Sequence, residues 1–150
     1  SGINAEISYN GFPLKMDADG QLWIDKVTGN IYYSELPAII ANGSLCVKVD
    51  GTCGGEEYGM DEDIRMMKSL IQSAIAKGVT GLYVTGKYLT KFDNGNPGHH
   101  IEEPQTVLGM AISGQNVADG TINVFLPEVE NIPDGAFNNC PAIKNITYGQ

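Results

Sequence analysis

The sequence predicts an α/β protein: a small N-terminal β-meander, then a helix, then a short series of stacked strand-and-turn units. Three observations carry this. Short runs of period-two apolar alternation, divided by Asp-Gly and Thr-Gly-Asn turns, recur up to residue 50. One apolar stripe at helical spacing occupies residues 61–77. After Gly120, strand alternation restarts about 24 residues on, the spacing of a repeat solenoid.

Taken in order, Phe12–Met16, Gln21–Ile24 and Asn30–Tyr33 read as short strands joined at Asp19-Gly20 and Thr28-Gly29-Asn30. Ser44–Val49 is a further strand with Leu45, Val47 and Val49 inward and Lys48 outward, ended by Asp50-Gly51. The glycine-rich segment Cys53–Gly59 reads as a linker, so the chain divides into a meander or cap over residues 1–58 and a second part over 59–150. Asp61 opens a helix running to Lys77 and stopped by Gly78. Its first turn is acidic and its end basic, as the helix dipole favours. Ile64, Met67, Leu70, Ile71, Ala74 and Ile75 form its buried stripe.

A strand, Gly81–Thr85, follows directly. The pattern of Lys68–Phe92 lies beside that of Gln105–Ile132, each an apolar helical run, a glycine break and an alternating strand, with Asp93–Glu103 as an insertion loop. In the final stretch, Ile122, Val124 and Leu126 alternate, Pro133-Asp134-Gly135 turns, and a short strand around Ile146 and Tyr148 closes the chain. That last strand meets the terminus, so the series either stops abruptly or continues in a longer protein.

Residues 120–149 resemble the BspA-like leucine-rich-repeat family. The resemblance rests on Leu126-Pro127, Val129, Ile132, Ala136-Phe137, Cys140, Ile143 and Ile146. It covers little more than one repeat. It implies a short right-handed leucine-rich-repeat solenoid of parallel strands with helices and turns, preceded by the meander and a capping helix. It also implies a bacterial exported or cell-surface protein, with no cofactor, that acts in adhesion by binding a host or matrix protein or a glycan. In such a coil the cysteine at the Cys140 position is free and packed inside.

Composition narrows the classes further. With 42% hydrophobic and 18% charged residues the chain is an ordered protein, and 19 glycines suit short strands and many turns. A net charge of −9 excludes a nucleic-acid partner, which requires clustered Lys and Arg, and disfavours anionic lipid. Arg65, Lys68 and Gln72 interrupt the most apolar helical stretch, so no membrane insertion is expected. The Ser1-Gly2 start reads as a processed or engineered end whose targeting signal has been removed.

Asp17-x-Asp19-Gly20 has the look of a calcium loop, but that register puts Lys15 and Lys26 at ligand positions, so an Asp-Gly hairpin is the better reading. His99, His100, Glu102 and Glu103 are metal-ligand types on one loop, yet adjacent histidines on extended chain point apart and no ligand motif is present. No nucleophile elbow, phosphate loop or zinc spacing occurs, so neither metal nor catalytic residue is assigned. Cys46 and Cys53 either pair across a hairpin or remain reduced. Trp23, Tyr32 and Tyr33 read first as core, with a sugar-stacking platform as the alternative.

Alternation assigns the remaining candidates. With Leu82, Val84, Ile122, Val124, Leu126 and Ile146 inward, Tyr83, Asn123, Phe125 and Thr147 form an outward row. The expectation is therefore a non-catalytic binding module using this row. The alternatives are a structural cap or spacer of a longer surface protein and, more remotely, a small metal-dependent hydrolase.

Overall fold

The computed structural model describes residues 3–25, 35–51, 60–87, 106–113, 115–132 and 134–149, with residues 3–6 and 60–64 described for their backbone alone. Strands β1 (Ile3–Tyr9), β2 (Phe12–Asp17), β3 (Leu22–Asp25), β4 (Glu35–Ala41) and β5 (Ser44–Asp50) pair in sequence, each antiparallel to the next. Helix α1 (Met60–Lys77) then leads to β6 (Gly81–Thr85), helix α2 (Val107–Ile112) to β7 (Ile122–Leu126), and a turn-rich connection to β8 (Ile143–Tyr148). From β5 onward the pairings are parallel, and all eight strands lie in one open sheet in chain order.

This corrects the expected solenoid. The meander does not cap a separate stack of repeat strands. It is the antiparallel part of the same mixed sheet, most of whose pairings are antiparallel. The physical cause is β5, whose second edge pairs directly with β6 and leaves no break between the two parts. β5 and β6, on either side of the boundary expected after residue 58, are thus neighbouring strands. The strand expected at Asn30–Tyr33, the linker at Cys53–Gly59 and the insertion loop at Asp93–Glu103 lie outside the described residues.

Two hairpins were not placed by the sequence reading. Asn10-Gly11 joins β1 to β2 and Asn42-Gly43 joins β4 to β5, with φ of 51° and 80° in the first and 48° and 76° in the second. These left-handed pairs are the two-residue turns whose twist matches antiparallel strands. Strand twist accumulates across the meander, and the sheet coils until the two hairpin tips meet, where the Tyr9 hydroxyl donates to the Gly43 carbonyl at 2.5 Å.

The concave face is the core. Leu14, Ile24, Leu36, Ala38, Val47, Val49, Leu82, Val84, Ile122, Val124 and Leu126 are all buried there, against Met67, Leu70, Ile71 and Ala74 of α1 and Val107, Leu108, Ala111 and Ile112 of α2. Both crossovers step the same way along the sheet, so crossovers of one hand place both helices on this face, and α1 packs against α2. Helix α1 ends in a paired cap, Gly78 N–H to the Ile75 carbonyl and Val79 N–H to the Ala74 carbonyl, with Val79 buried behind it. The anchors of the repeat-like motif also turn inward: Leu126, Val129 and Ala136 are buried, and Ile132, Phe137, Cys140, Ile143 and Ile146 are partly buried against the core. Among the described residues no helix is long and apolar enough to cross a membrane.

Helix α2 is fixed by one buried polar contact. The Thr106 hydroxyl accepts the Gly109 N–H at 2.9 Å as the N-cap and donates to the Ala136 carbonyl at 2.7 Å. That carbonyl lies so close that a Cβ on Gly109 would stand 2.2 Å from it. Replacing a helical Gly by Ala ordinarily stabilises by about 1 kcal/mol, but here the obstruction is backbone and cannot rotate away. Gly109→Ala is therefore expected to destabilise by about 1–3 kcal/mol in denaturant unfolding; a neutral or positive result would show that the connection at Ala136 is free to move.

Candidate functional site

The convex face lies opposite the helices, and strand register sorts its side chains into rows. Lys15, Trp23 and Pro37 stand opposite one another on β2, β3 and β4. Lys48, Tyr83, Phe125 and Thr147 continue across β5 to β8. The β4–β5 ladder ends at Ala38 opposite Val47, just where Pro37, which has no N–H to donate, comes next. A second row runs Ile39, Cys46, Gly81, Asn123 and Asn145.

The four residues expected on this face are placed on it, and three of them are reachable. Tyr83 and Asn123 are half-buried and Thr147 is exposed. Phe125 is the correction: it is only 8% exposed. It sits on an inner strand between Tyr83 and Thr147, where directly opposed side chains stand about 5 Å away on either side. Phe125 thus supports the row rather than touching a partner.

Trp23 takes the role Phe125 loses. It is half-buried on the convex face rather than in the core, and its position is fixed by polar contacts. Its indole N–H donates to Asp17 Oδ2 at 3.1 Å, while Lys15, directly opposite, is paired with Asp25 at 3.1 Å. Asp17 Oδ1 accepts the backbone N–H groups of Asp19 and Gln21 at 2.9 and 3.0 Å. The indole hydrogen bond, which outweighs an opposing effect of desolvation, holds the Asp17 carboxyl below its ordinary 3.8, and these two N–H groups lower it further. The Asp17 turn is thus a hairpin closed by its own carboxylate, with the oxygens a cation would need already taken. Among the described residues no group of three or more His, Cys, Asp or Glu side chains is placed to hold a metal. His99, His100 and Cys53 lie outside the described residues.

Beside Phe125 the face turns polar. Asn145 Nδ2 donates to Asn123 Oδ1 at 3.3 Å, an amide pair across β7 and β8. Asn145 shares its face with Thr147 by simple alternation. The extra residue Lys144, at the irregularity in the β7–β8 register, sets the two in line with Asn123 and Phe125. Sequence reasoning could have named Asn145 from that alternation; the tethering of Trp23 to Asp17 had no local signal.

Cys46 is fully buried in its row because Gly81 opposite has no side chain: a Cβ there would stand 2.5 Å from Cys46 Sγ. The Cys46 thiol is free. Burial pushes it up from 9.0 to about 11, against a smaller lowering by a backbone hydrogen bond at Ala41. Cys140 is also free, half-buried rather than fully inside, and donates to the Gly109 carbonyl at 3.2 Å; burial raises its thiol as well. Neither is a nucleophile at neutral pH. Separately, a cleft of about 270 Å³ lies where the β1–β2 and β4–β5 turns meet the end of α1, lined by residues including Phe12, Leu45 and Thr80. The Tyr9 hydroxyl on its wall is already bonded to Gly43.

No protein-family model, curated protein or solved structure matches this chain.

Because the folded thiol of Cys46 holds its proton more tightly than the unfolded one, its contribution to stability is fully present below pH 9 and is lost as pH rises toward 11. Relative to Cys46→Ala, the native chain is expected to lose stability across that interval, by a few kcal/mol at most. Cys46 is expected to resist alkylation at pH 8 until denaturant is added. Rapid labelling of the folded chain at Cys46 would contradict its burial.

Proposed function

We propose that this chain is a non-catalytic binding module that holds a host or matrix protein, or a glycan, against the convex face of its sheet, in the manner of an adhesion protein at or outside the cell surface. The supporting observation is the in-register row from Trp23 to Thr147 on the face opposite both helices. Trp23 is tied in place by Asp17, so its apolar area is offered without the ordering cost a free side chain would carry. Tyr83 is backed by buried Phe125. Amphipathic aromatics fixed on a surface are what recognition faces use. The likeness of residues 120–149 to surface-protein repeats points the same way. The chemistry of the described residues adds to this: the two described thiols are raised rather than activated.

The test is a binding screen of the purified chain against immobilised glycans and extracellular-matrix proteins, beside a Trp23→Ala/Tyr83→Ala double variant of matched thermal stability. A partner held by the native chain and weakened at least about tenfold in the variant is the expected result, since two anchor residues each contribute more than about 1 kcal/mol. Equal binding by both proteins would move the site off this face.

A further inference from the structure

We infer that the occupant of the convex face is a neutral, extended oligosaccharide lying across the strands, an inference that rests on the binding-module reading above. The first argument is charge. Among the described residues the face carries Lys15 and Lys48 against Asp17, Asp25, Glu35 and Asp50, so it is net negative like the chain as a whole. Lys15 and Asp25 neutralise one another at 3.1 Å, and the Asp17 carboxylate is occupied by three donors. What charge remains on the face is therefore negative, carried by Glu35 and Asp50 beside Lys48. Such a face repels a sulfated or sialylated chain, whereas an uncharged ligand meets no such penalty.

The second argument is the kind of group left over. The Asn145–Asn123 bond uses one donor and one acceptor, and an amide side chain carries two of each. The Asn145 carbonyl, its second N–H and the Asn123 amide nitrogen remain for a ligand, next to the exposed Thr147 hydroxyl. Sugar rings carry hydroxyls around a rim and C–H groups on their faces. Amides and hydroxyls serve the rim, and the ring faces of Tyr83 and Trp23 serve the C–H surface.

The third argument is shape. Tyr83 lies three strand spacings from Trp23 and two from Thr147. The row from β3 to β8 therefore spans roughly 24 Å, with its two aromatics roughly 14 Å apart. A protein partner would want a contiguous apolar centre in a patch of about 800 Å². Here Lys48 separates Pro37 from Tyr83, and the most apolar side chain of the row, Phe125, is buried. Apolar platforms set apart by polar groups fit a chain of sugar rings better than a continuous protein surface.

Trp23 is the only tryptophan, so its fluorescence reports occupancy directly. The experiment titrates the folded chain with uncharged oligosaccharides of glucose, mannose, galactose, xylose or N-acetylglucosamine, long enough to span the row, beside their monosaccharides and a sulfated and a sialylated oligosaccharide. At least one neutral oligosaccharide is expected to shift the Trp23 emission saturably and to bind at least about tenfold more tightly than its monosaccharide. Raising the salt is expected to change its affinity little. Asn145→Ala, an exposed substitution, is expected to weaken it about threefold to tenfold with the melting temperature unchanged. Binding confined to the sulfated or sialylated chain and abolished by salt would overturn the neutral-ligand inference. A matrix protein lost in the Trp23/Tyr83 variant, with every oligosaccharide silent, would overturn the glycan and leave the binding module standing. Silence of both screens would overturn the two together.

Discussion

Strand β5 hydrogen-bonds antiparallel to β4 along one edge and parallel to β6 along the other, and this change of partner governs the rest of the molecule. Its inward residues Val47 and Val49 are 0% and 4% exposed, so the strand is locked in register by what it buries. On the antiparallel side, two-residue Asn-Gly turns suffice to return the chain. On the parallel side, each return requires a crossover, and the crossovers supply α1 and α2. Both helices cover the concave face that the coiled meander already half encloses. One core results, shared by hairpins and helices alike.

With both helices on one side, the other face has to be settled by its own side chains. It does so by mutual cover along the strand rows. Cys46 lies over the space that Gly81 leaves, Phe125 is enclosed between its neighbours, and Trp23 is tied down by Asp17. The outcome is a surface less apolar than a core, with its aromatic groups set among polar and charged ones. Its aromatic groups are held in place before any partner arrives, which is the condition under which modest contact area yields useful affinity. The binding reading follows from that rigidity.

Much of the local structure was legible from residues close in sequence. The helix from Asp61 to Lys77, its stop at Gly78, and the strands at residues 12–16, 21–24, 44–49, 81–85 and 122–126 all form within a residue or so of their expected bounds. Alternation also sorted Tyr83, Asn123, Phe125 and Thr147 to the correct face. β1 and β4 escaped; in β4, Pro37 and the unbroken apolar run obscured the period of two. The Asn-Gly pairs at 10–11 and 42–43 would have placed both. Period alone misjudged the architecture, because strand spacing reports how often the chain returns and not which strand waits at the edge.

What the sequence by itself determined is the set of elements, their turns and the inward or outward sense of each strand residue, since these depend on backbone preferences and on a repeat of two or 3.6 residues. What only the tertiary structure decided is which edges pair and how deeply an outward residue lies. Phe125 and Trp23 show the difference: one was expected to be exposed and is covered, and the other was expected in the core and stands on the convex face. Burial at such positions is set by neighbours on other strands, from Lys48 on β5 to Thr147 on β8. No local pattern encodes those distances, because they arise only when the whole sheet is assembled.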